Sequence, residues 1–134
     1  MTKRLTALIY DFAGTLARGN MQETSFIPAL GMTPAEFWND TVRPRTLAAD
    51  GDDILMYMQL MLQTAREKGI SVTRQLLQDH GKDVPLFDGI KDGSWFRRIN
   101  AFAAHYGLTL EHYILSSGLQ EMIDLGYFRG IVKQ

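Results

Sequence analysis

LIYDFAGTL, residues 8–16, is the stretch that decides the fold of this chain. Its first residues end an apolar run that begins at Leu5 and stops at the carboxylate of Asp11. A short continuous apolar run beside a glycine turn is typical of a buried parallel strand, because both faces of such a strand are covered. Open α/β sheets bind ligands at the carboxyl ends of their strands. The stretch therefore predicts a strand over 5–10 that places Asp11 at the ligand-binding edge.

A second apolar run, residues 110–115, ends in the polar turn Ser116-Ser117-Gly118. Before it, Ser94 can cap a helix over 95–106 whose apolar residues recur at helical spacing. A helix, a strand and a small polar turn form the second half of a βαβ unit. If the two apolar runs are neighbouring parallel strands, Asp11 and Ser116 are expected to line one pocket. The apolar face predicted for the helix comprises Phe96, Ile99, Phe102 and Ala103.

The residues between these runs carry helix signals that predict a largely helical insert. Thr33 and Glu36 form a capping box, and Pro44 is expected to end the helix that follows, since the residue before a proline disfavours the α conformation. Asp52 can cap a long helix that stops at Gly69, and its methionines are interpreted as core residues. The predicted elements are a linker over 20–31, helices over 34–42, 53–68, 73–80 and 120–125, an irregular return segment over 84–90 and a strand over 127–132.

Composition narrows the classes of protein that this chain can belong to. The 134 residues are 46% hydrophobic, which suffices for one packed core. A net charge of -1 and a pI near 6.3 provide no attractive field for nucleic acid or anionic lipid, so neither partner is expected. The absence of cysteine excludes disulfides and cysteine nucleophiles. No run approaches the roughly 18 apolar residues of a membrane span, so we expect a soluble, cytoplasmic protein.

The two polar turns together carry a family resemblance. Residues 11–16 resemble the first motif of the haloacid dehalogenase superfamily, Asp-x-Asp-Gly-Thr-Leu, with Ala13 in place of the second Asp. Ser116 after its apolar strand is similar to the second motif, and Ser-Ser-Gly resembles the phosphoserine phosphatase-like branch. The resemblance implies an α/β fold: an incomplete Rossmann-like core of few parallel strands at 1–18 and 88–134, and a helical cap at 19–87 inserted after the first strand.

The same resemblance implies a site and a reaction. Asp11 is the expected catalytic nucleophile, which attacks phosphorus to form an aspartyl-phosphate intermediate. Asp11 and the backbone carbonyl of Ala13 are the expected ligands of a Mg²⁺ cofactor. The substrate implied is a small phosphate ester. Activity is expected to be weak or absent, because alanine cannot supply the proton that the second Asp of the motif supplies and the later family motifs are not assigned here. The expected phosphate-binding residues are Gly14, Thr15, Ser116, Ser117 and Gly118.

Other hypotheses compete with the enzyme. The chain can be a noncatalytic module that binds a phospholigand or another protein, or a trapped enzyme in which alanine was installed. An open edge on a small parallel sheet also predicts association of two or more copies. The three histidines share no metal-like spacing, so helix-end, surface or strand-packing roles are predicted for them.

Overall fold

The computed structural model describes residues 4–123 and 127–133 of the chain. Within these residues the fold is mixed α/β, with a two-stranded parallel sheet and helices before, between and after its strands. The elements in chain order are β1 (Arg4–Tyr10), α1 (Phe26–Ala29), a π-helical segment (Glu36–Val42), α2 (Arg43–Ala49), α3 (Asp53–Glu67), α4 (Arg74–Gly81), α5 (Ser94–His105), β2 (Leu108–Ile114) and α6 (Gln120–Ile123).

The sheet pairs the two apolar runs in parallel, which confirms both predicted strands. Tyr10 lies opposite Ile114 at the end of the ladder. The Leu115 N–H donates to the Tyr10 carbonyl at 2.8 Å, so pairing continues to the last residue before each polar turn. The two turns therefore leave the sheet side by side.

The strand predicted over 127–132 does not form. Its residues lie in turns, and Val132 makes an isolated parallel bridge with His112 of β2. The Ile131 and Val132 N–H groups both donate to the Phe128 carbonyl, which commits them to a local turn. Of the helix predicted over 120–125, α6 covers the first four residues, and positions 124 and 125 lie outside the described residues.

Helix α5 covers one face of the sheet through aromatic contacts. The Phe96 ring meets Tyr10 and His112 edge-on, with ring centroids 5.9 and 5.1 Å apart. His112 is 2% exposed and is held between the Tyr10 hydroxyl and the Asn100 side-chain oxygen, each at 2.9 Å. Burial lowers the pKa of the His112 imidazole. This histidine has the strand-packing role expected of it.

The start and the apolar face of α5 differ in part from the prediction. Gly93, not Ser94, is the N-cap residue, and the Asp92 carboxylate accepts a hydrogen bond from the Ser94 N–H at 2.9 Å. Phe96 and Ala103 are buried as predicted, whereas Phe102 is 61% exposed. Successive side chains leave a helix about 100° apart, so the orientation that buries Ala103 against the core leaves its neighbour Phe102 toward solvent.

The predicted capping interactions of the insert are present. The Asp52 carboxylate accepts a hydrogen bond from the Leu55 N–H at 2.9 Å. The Thr33 hydroxyl accepts one from the Glu36 N–H at 3.2 Å, and the Glu36 carboxylate accepts one from the Thr33 N–H at 2.7 Å. The two bonds that Thr33 donates, from its N–H and its hydroxyl, lower the pKa of Glu36. Residues 34 and 35, just before the π-helical segment, are already helical, so local sequence places both helix starts correctly.

The prediction that Pro44 ends its helix is wrong. The π-helical segment Glu36–Val42 runs directly into α2, where Pro44 occupies the first turn. Pro44 has no N–H to donate, so the helical hydrogen bonding that continues through Arg43 lacks one bond at this position. The π-type bonding before it spans five residues instead of four, which relieves the clash between the proline ring and the carbonyl four residues earlier. Helical structure therefore continues to Ala49.

The insert begins and ends at neighbouring points of the chain. The Arg18 N–H donates to the Pro85 carbonyl at 2.7 Å, and the Phe87 N–H donates to the Leu16 carbonyl at 2.9 Å. A single cluster of buried apolar side chains runs through both the sheet region and the helices. Among the described residues, no helix is long and apolar enough to cross a membrane.

Candidate functional site

A pocket of about 390 Å³ lies where the two polar turns meet the helices. The turns after β1 and β2 supply one part of its wall, and residues from the π-helical segment and α3 supply another. The lining residues are Asp11, Ala13, Asn20, Met21, Gln22, Trp38, Asp53, Ile54, Tyr57, Ser116, Ser117 and Gly118. The convergence of Asp11 and Ser116, predicted from the carboxyl ends of parallel strands, is present in the structure.

Asp11 is exposed at the end of β1, and one of its carboxylate oxygens accepts a hydrogen bond from the Phe12 N–H at 2.7 Å. Its neighbour Ala13 also lines the pocket. Gly14 and Thr15 do not line it. Gly14 has φ +75° and donates its N–H to the Ala17 carbonyl at 2.8 Å, so these two residues close the turn that carries Asp11.

The turn after β2 is closed by its own hydrogen bonds. The Ser116 Oγ accepts a hydrogen bond from the Gly118 N–H at 3.0 Å, which leaves the hydroxyl hydrogen free to donate. The Leu119 N–H donates to the Met21 Sδ at 3.3 Å, and Met21 is 1% exposed. The Gly118 N–H, expected to face a phosphate, is thus already paired within the protein, and so is the N–H of the next residue.

Two aromatic side chains from the helices, Trp38 and Tyr57, also line the pocket. The Tyr57 hydroxyl donates to the Ser117 carbonyl at 3.3 Å, which ties α3 to the second polar turn. Burial raises the pKa of Tyr57, so its hydroxyl stays protonated and can donate this bond. Trp38 packs edge-on against Tyr57, with ring centroids 5.5 Å apart, and its indole N–H donates to the Glu23 carboxylate at 2.7 Å.

Sequence reasoning did not find the pocket-lining residues that come from the turn before α1, the π-helical segment and α3. Asp53 lies in the first turn of α3, directly after the N-cap residue Asp52, so a helix start accounts for it without a pocket. No local pattern distinguishes an aromatic residue in the pocket wall from one in the core, since Tyr57 belongs to both. The contributors missed in this way are Asn20, Met21, Gln22, Trp38, Asp53, Ile54 and Tyr57.

The pocket is negatively charged. Its lining carries the carboxylates of Asp11 and Asp53, and none of the described lining residues is lysine, arginine or histidine. Basic side chains lie instead in a second cavity of about 790 Å³, which Arg129 and Lys133 line and which shares Ser116 with the first. Lys133 is paired with Glu111 at 3.4 Å. An anionic ligand in the smaller pocket would therefore need a cation to offset two carboxylates.

Oxygen donors suited to Mg²⁺ are present in small number. Asp11 and Ala13, from which the family resemblance implies a carboxylate and a backbone carbonyl ligand, both line the pocket. Mg²⁺ typically takes one or two carboxylates and completes its shell with water and substrate phosphate. Over residues 4–123 and 127–133, no three histidine or acidic side chains cluster in a way that could hold a metal ion. A Mg²⁺ ion bound here would therefore have few protein ligands.

Comparison with known proteins identifies no relative of this chain. No protein-family model, curated protein or solved structure matches this chain. The resemblance to the haloacid dehalogenase superfamily therefore depends on the two polar turns and on their common pocket.

Proposed function

We propose that this chain is a haloacid dehalogenase-like phosphohydrolase domain that takes a small phosphate monoester in the pocket of Asp11 and Ser116. The observation that carries the proposal is the convergence of these two residues from adjacent parallel strands. A carboxylate and a hydroxyl at the carboxyl ends of neighbouring strands supply a nucleophile and a hydrogen-bond donor for one phosphoryl group.

Asp11 is the proposed nucleophile. Attack of its carboxylate oxygen on phosphorus forms an acyl phosphate and releases the alcohol, and attack of water on the acyl phosphate releases phosphate and restores Asp11. The Ser116 hydroxyl donates to a phosphoryl oxygen, because its own oxygen already accepts from the Gly118 N–H. Ser117 and Gly118 shape the turn that holds this hydroxyl in place.

Mg²⁺ held by Asp11 and the Ala13 carbonyl would offset the repulsion between the carboxylates and the phosphate dianion. Ala13 has no proton to give to the leaving alcohol, and a general acid or base typically contributes about 10²–10⁴-fold to the rate. We therefore propose that turnover is slow.

A noncatalytic phospholigand-binding module is the second candidate. Two observations favour it: Ala13 lacks an acid function, and the Ser116 Oγ occupies the Gly118 N–H that was expected to bind phosphate. Such a module would bind a phosphate ester at Ser116 without cleaving it.

Phosphate release from p-nitrophenyl phosphate in the presence of Mg²⁺ tests the enzyme. Slow, Mg²⁺-dependent release is expected, and Asp11→Asn should abolish it. Asp40→Asn is the matched control, because Asp40 is an exposed carboxylate outside the pocket lining. Unchanged turnover in Asp11→Asn would refute nucleophilic catalysis by this residue.

The substitution Ala13→Asp separates the two candidates. In a slowed enzyme it should raise the rate by about 10²-fold or more, since it restores the missing acid. In a noncatalytic module it should create no turnover, although phosphate esters would still bind. The measurement is the same phosphate-release assay.

A further inference from the structure

The helices contribute two aromatic rings and a carboxylate to the pocket. Trp38 and Tyr57 lie with ring centroids 5.5 Å apart at an interplanar angle of 68°, and Asp53 begins α3 beside them in the lining. Tyr57 is 6% exposed and its hydroxyl is tied to the Ser117 carbonyl, so its ring is held in a fixed orientation.

This combination favours a positively charged group. The faces of indole and phenol rings attract ammonium cations, and quaternary ammonium groups are recognised by aromatic side chains. The carboxylate of Asp53 adds direct charge attraction. No described lining residue is basic, so nothing in the lining competes for these carboxylates or repels a cation.

A further carboxylate reinforces the negative potential around Trp38. Glu23 accepts the indole N–H at 2.7 Å and the Asn20 side-chain N–H at 2.7 Å. These two bonds fix Glu23 beside Trp38 and Asn20, which both line the pocket. A hydrogen bond from the indole N–H to a carboxylate also increases the electron density of the ring, which strengthens its attraction for a cation.

We propose that this wall, formed by Trp38, Asp53 and Tyr57, binds an organic ammonium group, so that the ligand is the phosphate ester of an amino alcohol. The inference rests on the proposed function for the phosphate end of the ligand. An amino-acid ester fits less well, because its carboxylate would meet Asp11 and Asp53 without a basic partner among the described lining residues. A zwitterion with its phosphate near Ser116 and its ammonium group against Trp38 matches the distribution of charge.

Calorimetric titration of this chain with phosphocholine in the presence of Mg²⁺ tests the proposal. The matched ligand is the uncharged isostere in which a tert-butyl group replaces the trimethylammonium group. Phosphocholine should bind about tenfold more tightly, which corresponds to a cation–π contact between the exposed and the fully desolvated limits. Choline alone, titrated without Mg²⁺, should bind weakly but measurably.

Asp53→Asn identifies the residue responsible. It should weaken phosphocholine binding about fivefold, the effect of one partly exposed ion pair, and leave binding of the isostere unchanged. Helix α3 keeps its N-cap, since Asp52 supplies the capping oxygen, and far-UV circular dichroism verifies that the fold is retained. Asp40→Asn, outside the pocket, should alter neither ligand.

The outcomes separate this inference from the proposed function. Equal binding of phosphocholine and its isostere would overturn the ammonium site and leave the phosphate site standing. Equal binding of choline and phosphocholine would support the ammonium site and overturn the phosphate site. Phosphoserine that binds as tightly as phosphocholine would overturn the restriction to amino alcohols, and failure of all these ligands to bind would overturn both proposals.

Discussion

Gly118→Ala is expected to destabilise the protein through contact with Met21. A Cβ atom at residue 118 would overlap the terminal methyl of Met21 and come within 2.9 Å of its sulfur. Gly118 is outside the left-handed region, so alanine meets no backbone strain there. The cost is therefore steric, and it requires the Met21 side chain to leave the position in which it accepts the Leu119 N–H.

The expected magnitudes follow from packing. An extra methyl in a packed site costs about 1–3 kcal/mol of unfolding free energy. Met21→Ala removes a side chain that is 1% exposed, at a cost of roughly 2–5 kcal/mol. In the double variant the overlap no longer exists, so Gly118→Ala should cost less than about 1 kcal/mol and the pair should couple by about 1–2 kcal/mol.

Urea denaturation of the four proteins in this cycle measures the coupling. Gly14→Ala is the control, since no atom lies within 4 Å of the added Cβ atom. Its φ of +75° instead imposes backbone strain on alanine, which should lower the free energy of unfolding by about 1–2 kcal/mol. It should combine additively with Met21→Ala to within about 0.5 kcal/mol. Additivity of Gly118→Ala with Met21→Ala would refute the contact, and with it the described packing beneath the Ser116 turn.

Three further predictions concern stability and association. Burial lowers the pKa of His112 in the folded protein, so below about pH 6.5 the unfolded chain binds more protons than the folded protein does. The free energy of unfolding should therefore fall as the pH drops from 7 to 5. His112→Gln should reduce this pH dependence. Asp52→Ala should cost about 1 kcal/mol in urea denaturation, because it removes the cap on the Leu55 N–H; an unchanged midpoint would contradict this role. Leu5 and Ile9 are each 65% exposed on the open face of the sheet, so light scattering at micromolar concentration should detect a dimer or larger species. Ile9→Lys should weaken this association, and a monodisperse monomer would exclude it.

The strands and helix starts could be predicted because their causes lie close together in the chain. An apolar run between polar turns predicts a strand from its own residues, and Asp52 caps α3 through a bond to a residue three positions away. The errors arose where packing overrides local preference. Pro44 lies within continuous helical structure because a π-helical segment precedes it, and Phe102 is exposed because α5 turns the neighbouring Ala103 toward the core.

The candidate site divides in the same way. The pairing of Asp11 with Ser116 could be predicted, because parallel strands bring their carboxyl ends to one edge. The contribution of the helices could not. Tyr57 reaches the Ser117 carbonyl across 60 residues of sequence, and Met21 reaches the Leu119 N–H across 98.

Local sequence was thus enough for the two strands, the capped helices and the acid at the sheet edge, since each depends on interactions within a few residues. Long-range packing alone set the charge and the lining of the pocket, the position of Met21 against the second turn and the open apolar face of the sheet. Those features depend on which surfaces come together when the core forms, and short-range preferences carry no information about that choice.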